Sequence, residues 1–482
     1  MLANNGKKES LWKRLDYWTI ALYLLLVSIG WFLIVGASYS FDEPDLLAGG
    51  SRPMMQLLWI GLSGLLVMAV LRIRSDIYEV IAKPIYLAML LLLLATIFLA
   101  PNIKGSHSWL VLGPIRLQPA EFAKMTTALM LAHTMSRYGF KLQGIKNYLW
   151  LFTIILVPMG IIFLQSEAGS ALVFVSFFLV LYREGMTGFF LGVASWVVIL
   201  FVSALSFSDK MQGAISLDLL VICTLIMVAL LVLLAMYTRK NSAFIRVAVL
   251  CGGILLLGYC ACVYFFPMFN YAYVLLVALV ALIGYCLFMA VRLYAVKFLV
   301  IAATGIFMGL FSFSVGYVYE EVLKPHQRMR IGVALGLETD VQGVGYNVNQ
   351  AKIAIGSGGF SGKGFYGATQ TKLKYVPEQD TDFIFCTVAE EYGFLGSAAL
   401  LFLFLALILR LMYLSQRLSA FGRVYGYCIA CILLMHVSIN VGMVLGLVPV
   451  IGIPLPFCSY GGSSLWSFSL MLFIFLRIYA DR

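Results

Sequence analysis

The sequence predicts an all-α polytopic membrane protein, a helical bundle of about fourteen transmembrane helices carrying one large polar loop. Three observations predict it. Of the 482 residues, 62% are hydrophobic and only 11% charged, whereas soluble domains run nearer a quarter charged; mean hydropathy is +0.98. Apolar runs long enough to cross a bilayer recur along the whole chain. Basic residues favour every second connection between those runs, as membrane topology requires. Together these exclude a soluble fold. The net charge of +11 is spread over short loops rather than gathered into a patch, which argues against a nucleic-acid partner.

The apolar runs place spans near 17–39, 54–71, 84–100, 118–136, 147–165, 169–182, 187–207, 215–237, 244–266, 269–291, 295–319, 383–409, 424–446 and 462–479. With the N-terminus inside, the cytoplasmic segments hold Lys7, Lys8, Lys13 and Arg14, then Arg72, Arg74 and Lys83. Arg137, Lys141 and Lys146 follow, then Arg183, Arg239 and Lys240, Arg292 and Lys297, Arg410, Arg417 and Arg423, and Arg477 and Arg482. Outer segments, the long loop apart, hold only Arg52, Lys104, Arg116 and Lys210. Both termini are therefore expected in the cytoplasm and the 320–382 loop outside the cell membrane; long loops are exempt from the charge rule. The N-terminal basic cluster before a long apolar run resembles a retained signal anchor. Most of the nine cysteines lie inside apolar runs and are expected to be small buried hydrophobes.

Polar residues near or inside spans are the candidates for chemistry, because charge in lipid is unfavourable and usually functional. Glu121 and Lys124 lie three apart behind Pro119, so they share a helix face and can pair. The pair either fixes helix packing or lines a polar cavity open to the outside. Arg116 precedes them in an outer loop with Trp109. Glu167 occupies a tight turn between two spans, either merely solvated or part of the same outer site. His107, His133, His326 and His436 show no ligand spacing and are expected to be ordinary packed histidines; His326 stands beside Arg328 and Arg330.

The long loop, 320–385, gathers Glu320, Glu321, Glu338, Asp340, Glu378, Asp380 and Asp382 with Lys324, Arg328, Arg330, Lys352, Lys363, Lys372 and Lys374. Asp382 is its last charge before an apolar run, where a water-exposed loop meets the lipid boundary. The run Gly356–Gly364 has the composition of a phosphate cradle or of a flexible loop, and lacks the spacing of a Walker A sequence. Two prolines and two glycines in 454–462 form an irregular entry to the last span, a backbone tolerated at membrane depth where it is buried or lines a cavity.

At these residues the chain resembles the SEDS family (shape, elongation, division and sporulation). The similar pieces run in family order: WLVLGPIRLQPAEFAK at 109–124, LQSEAGSALV at 164–173, HQRMRI at 326–331, YNVNQAKIAIGSGGFSGKGFYGATQTKLKYVPEQDTDFIF at 346–385, AEEYGFLGS at 389–397 and GIPLPFCSYGGSSL at 452–465. They cover most of the chain outside about 208–295. GKG followed by ATQ resembles the elongation branch more than the division branch. The resemblance implies a SEDS-type bundle and a peptidoglycan glycosyltransferase that polymerises lipid II into glycan strands. It implies a class B penicillin-binding protein as partner and the inner membrane as location. It assigns the family's essential aspartate to Asp382. Arg116, Glu121, Lys124, Glu167, Arg328, Arg330, Gln350, Ser357, Lys363, Gln370, Glu378, Ser459 and Tyr460 are the expected substrate contacts.

Three departures from the family stand out. Asp380 replaces a histidine, so Asp380 and Asp382 become adjacent acids able to raise each other's proton affinity or to hold Mg²⁺ or Mn²⁺. The family's QPDLG turn is here Gln165–Gly169 with Glu167 as its acid. The family has ten spans, so the expected organisation is a ten-span core plus a four-span insert. That gives an N-terminal core at 1–207, an insert at 208–295 without intramembrane charge, a core helix at 296–319, the loop at 320–385 and a C-terminal core at 386–482. Asp382 is the expected general base for the acceptor hydroxyl, and Arg116, Arg328, Arg330, Lys363 and Lys124 the cations near pyrophosphate. Two other readings compete: a lipid II flippase, for which no inverted repeat is visible, and a non-catalytic scaffold, which has no need of the Asp382 loop.

Overall fold

The computed structural model describes residues 11–39, 50–103, 106–113, 115–208, 211–212, 215–238, 241–264, 270–323, 325–335, 337 and 344–482. Lys7, Lys8, Lys104, Lys210, Arg239, Lys240, Lys324, Glu338 and Asp340 lie outside the described residues, as do the side chains of His326 and Arg330.

The chain is helical nearly throughout. In order the helices are α1 (Leu11–Arg14), α2 (Tyr17–Ser38), α3 (Arg52–Arg72), α4 (Ser75–Leu99), α5 (Pro119–Ser136), α6 (Ile145–Leu164), α7 (Ala168–Val173), α8 (Ser176–Arg183) and α9 (Gly188–Ser206). Then come α10 (Leu217–Thr238), α11 (Asn241–Tyr264), α12 (Ala272–Leu293), α13 (Val296–Tyr317), α14 (Pro325–Ala334), α15 (Val344–Gly358), α16 (Ile384–Ser415), α17 (Ala420–Val444) and α18 (Gly462–Ala480). A short antiparallel hairpin, β1 (Leu110–Leu112) and β2 (Ile115–Leu117), leads into α5 with Val111 opposite Arg116.

Among the described residues, twelve helices are long and apolar enough to cross a membrane, judged by length and composition. Two of the fourteen expected spans are not among these twelve, for local reasons. Helix α5 is too polar over its 18 residues, which include Glu121 and Lys124. The 168–183 run is divided into α7 and α8 and is short.

The chain packs as two compact units, residues 1–186 with 340–482, and residues 187–339. In the first, α18 and α17 form the interior: 89% and 67% of their apolar stretches are buried, against 22% for α4. Helix α5 joins them, buried on nearly every side despite its polarity. A helix covered all round needs its polar groups satisfied internally, and α5 meets that need as described below. Helix α2 begins at Asp16, whose carboxylate caps it by accepting from Thr19 N at 3.0 Å and also from Arg410 Nε at 3.2 Å.

Helices α9 to α14 make the second unit, which includes the 208–295 helices. Its core contains Leu200, Ile226, Leu230, Leu282, Cys286, Phe298 and Ala302. Cys223, Cys251 and Cys286 are buried here as small hydrophobes, whereas Cys260 is exposed. The charged residues of these helices include Asp218 in the first turn of α10 and Arg246 near the start of α11. Both are close to helix ends, where a charged group can reach the interface.

Candidate functional site

Asp382 sits one residue before Phe383, the N-cap of α16. Its position is set by donors from a distant part of the chain. Three consecutive carbonyls are each held: Tyr460 N donates to Asp380 O at 2.8 Å, Ser459 Oγ to Thr381 O at 2.5 Å, and Asn440 Nδ2 to Asp382 O at 2.8 Å. Asn440 also donates to Ile453 O at 2.7 Å, and Leu455 N donates to Ser459 Oγ at 2.8 Å. Gln379 Nε2 reaches back to Ala37 O on α2 at 2.7 Å. Backbone groups held at every residue leave this turn one conformation. Glu378 (φ 56°) and Phe457 (φ 64°) take left-handed conformations in the two segments that meet here, strain that the surrounding hydrogen bonds sustain.

The Asp382 side chain is half-buried. One carboxylate oxygen lies against Gly452, where a Cβ would approach Oδ2 to 3.1 Å, and Gly452 has φ +75°. Both facts require glycine. Gly452→Ala is therefore expected to displace the Asp382 carboxylate and to lower stability by about 1–2 kcal/mol. A melting curve and an activity assay on the purified variant check this; unchanged activity would show that the carboxylate tolerates the crowding.

Asp380 is buried and ion-paired with Arg52 from the first turn of α3, and Arg52 also lies over the Tyr460 ring at 6.0 Å. Asp380 is thus answered by a cation. Among the described residues no three His, Cys, Asp or Glu side chains converge as a metal requires.

The Gly356–Gly364 run is neither a phosphate cradle nor a loose loop. Helix α16 breaks at Gly393 (φ 64°, ψ −157°), which frees carbonyls one turn earlier. Lys363 N donates to Glu390 O at 3.1 Å and Gly364 N to Glu391 O at 2.9 Å, while Phe394 N donates to Gly359 O at 3.0 Å. A Cβ at Gly358 would collide with the Ala389 carbonyl, and one at Gly362 with that of Glu391. The glycines let two backbones touch, and these N–H groups are already engaged.

Beneath them lies Glu390, fully buried. Its Oε1 accepts from Lys363 Nζ at 2.8 Å, Thr369 N at 2.8 Å and Gln370 N at 2.9 Å; its Oε2 accepts from Thr371 N and Thr371 Oγ1, both at 3.0 Å. Lys363, expected at pyrophosphate, is committed to this carboxylate. Ser357 Oγ donates to Ala354 O at 2.8 Å and stands 3.5 Å from Glu390 Oε1. Gln370 joins through its backbone. All three take part in a clamp around Glu390.

Glu121 and Lys124 are buried too, so they do not line a cavity open to solvent. Lys124 Nζ donates to Glu121 Oε1 at 2.7 Å and to His436 Nε2 at 2.8 Å, and lies 5.3 Å above the Phe468 ring. Removing one member of such a pair leaves an uncompensated charge, which costs about 3–5 kcal/mol. Lys124→Met is expected to lower the melting temperature accordingly, and adding Glu121→Gln to recover most of the loss. Losses that simply add would show that the two do not act as a pair.

The remaining expected contacts are dispersed. Arg116 is exposed on β2. Glu167, at the N-terminus of α7, accepts from Ser106 Oγ at 2.8 Å and Ser108 Oγ at 2.7 Å, tying the 106–108 segment to that helix. Gln350 is half-buried on α15, and Glu378 is exposed with Thr381 Oγ1 donating to it at 3.0 Å. Arg328 belongs to the 187–339 unit, where it covers the Tyr319 ring at 5.5 Å. A cavity of about 390 Å³ lined by Arg137, Lys146 and Trp150 opens at the other end of α5 from Glu121 and holds no reactive group. Glu390, His436, Asn440 and Arg52 are the residues that sequence reasoning missed. The AEEYG block and a lone Asn within an apolar span were the available signals.

The long apolar helices define the class: a multi-pass helical membrane protein whose polar loop enters α16 through the backbone-held turn at Asp382. The chain belongs to the family described as cell cycle protein, comprising FtsW, RodA and SpoVE, whose profile matches residues 17–216 and 225–482. It is 27% identical over 468 residues to "Peptidoglycan glycosyltransferase RodA" of Treponema pallidum, covering 97% of this chain and 98% of that one. It is 28% identical over 466 residues to "Peptidoglycan glycosyltransferase MrdB" of Escherichia coli K12, covering 96% and 94%. Among solved structures, its fold is similar to a chain from a peptidoglycan synthase complex studied for coordination of polymerization and crosslinking (TM-score 0.60, 22% identity, 97% and 98% covered). It is also similar to the rod shape determining protein RodA of Thermus thermophilus (TM-score 0.53, 20% identity, 97% of each chain covered).

Proposed function

We propose that this chain is a peptidoglycan glycosyltransferase of the elongation type, polymerising lipid II into glycan strands with Asp382 as general base. Family membership and the names of its full-length relatives support the activity. The observation that carries the residue assignment is the triple hold on Asp380, Thr381 and Asp382, which fixes a half-buried carboxylate at the head of α16. Preorganisation of this kind is what a base needs in order to act on a substrate held elsewhere by its lipid.

In this reading Asp382 takes the proton of the acceptor sugar's 4-hydroxyl. The oxygen attacks C1 of the donor sugar, the C1–O bond to the pyrophosphate breaks, and the undecaprenyl pyrophosphate departs with that electron pair. A direct displacement inverts the anomeric carbon. Arg52, whose side chain is 57% exposed while it pairs with Asp380, and exposed Arg116 are the cations this reading assigns to the phosphate oxygens. Lys124 and Lys363 are withdrawn from that role by their buried partners.

The charge pattern supports both termini in the cytoplasm and the Asp382 loop on the outer face of the inner membrane. A class B penicillin-binding protein is the partner in this reading, consistent with a structural relative drawn from a synthase complex. The test is to incubate purified full-length protein with lipid II in detergent, with and without that partner. Glycan chains on a gel are the expected result. With no sealed compartment present, their formation excludes transport or scaffolding as the whole function, and their absence with an active partner present would overturn the proposal.

A further inference from the structure

His436 was expected to be an ordinary packed histidine, and the structure gives it two specific bonds instead. Its Nδ1 lies 3.2 Å from Pro454 O and its Nε2 2.8 Å from Lys124 Nζ. A carbonyl only accepts, so Nδ1 carries the proton; Nε2 is then the lone pair that accepts from Lys124. The ring is buried and stands edge-on to Phe468 at 4.9 Å, the same ring that Lys124 covers. One turn along α17, Asn440 holds Ile453 O and Asp382 O. His436 and Asn440 thus present, at i and i+4, donors to two successive carbonyls of the segment that shapes the Asp382 turn. Gly452 touches the carboxylate at one end of that segment, and Ser459 and Tyr460 hold Thr381 and Asp380 at the other.

We propose that His436 is a positioning residue: it transmits the fixed location of the buried Glu121–Lys124 pair to the 452–460 segment, and through it to Asp382. The inference rests on the reading of Asp382 as base. Lys124 anchors Nε2, which fixes the ring; the ring holds Pro454 O; Pro454 sets where Gly452 meets the Asp382 carboxylate. A displacement of about 1 Å at a reacting group lowers rate by about 100-fold, so a small shift of this segment is enough.

The two bonds separate by substitution in the full-length protein with its partner. His436→Phe keeps the ring and removes both bonds. His436→Asn places an amide N–H near Nδ1 and keeps the hold on Pro454. His436→Gln places an acceptor near Nε2 and keeps only the bond to Lys124. The expected result is that Phe, Asn and Gln, each of which breaks at least one of the two links, all lower kcat for lipid II polymerisation by about tenfold or more with KM within about twofold. A kcat for either Asn or Gln within about threefold of wild type, or a change in KM alone, would overturn the proposal, and this reading holds even if the Phe variant fails to fold. Asp382→Asn is run alongside. If that variant is active, the base assignment fails; if it is inactive while the His436 series is flat, only the present inference fails.

Discussion

Asp382→Asn is expected to lower polymerisation by about 100- to 10,000-fold, the usual contribution of a positioned general base, without altering membrane insertion or thermal stability. The amide is isosteric with the carboxylate, and the bonds from Tyr460, Ser459 and Asn440 that hold the turn go to backbone carbonyls. The substituted amide would therefore occupy the same place with no capacity to take a proton. Lipid II binding, measured separately, should be retained. Asp382→Glu should be partly active, because the base survives but its added methylene must find room beside Gly452. The measurement is glycan chain yield at matched protein concentration. Activity of the Asn variant within tenfold of wild type would remove Asp382 from the chemistry.

The second large effect is expected at Glu390, a residue that has no need to touch substrate. Five hydrogen bonds at 3.0 Å or shorter converge on its buried carboxylate and fasten residues 363–371 to α16. Hydrogen bonds to a buried charge are among the strongest in a protein, at about 1.5–3 kcal/mol each, and an unmet buried donor is unfavourable. Glu390→Gln keeps the shape but turns one acceptor into a donor facing donors. A loss of about 3–5 kcal/mol of stability is expected, as for breaking a buried charge pair. Faster amide hydrogen exchange should appear at Thr369, Gln370 and Thr371. Polymerisation should fall by about tenfold or more if the clamp also steadies the polar loop that ends at Asp382. Unchanged exchange at 369–371 would show that the loop is held by other means.

The bundle was legible because hydropathy is a local property: each span announces itself within about 20 residues. Helix α5 was placed by its sequence, yet its polarity hides how deeply it is buried, since only neighbours distant in the chain cover Glu121 and Lys124. The site was half legible. Asp382 stood out as the last charge before an apolar run. The Lys363–Glu390 bond was not legible, because a cation beside a glycine run looks like an anion site until Glu390 is seen beneath it. His436 and Asn440 looked ordinary on α17 because their partners, Lys124 and Asp382, lie 312 and 58 residues away in sequence.

By itself, the order of residues determined that the chain lives in a membrane, roughly where it crosses, and which acid ends its polar loop. These follow from the transfer of short segments between water and lipid, which each segment decides alone. Only the tertiary structure decided which charges are spoken for. Glu121, Lys124, Asp380, Lys363 and Glu390 are paired or clamped, because a buried ion must find its counterpart wherever the fold brings one close, and no local pattern says where that will be.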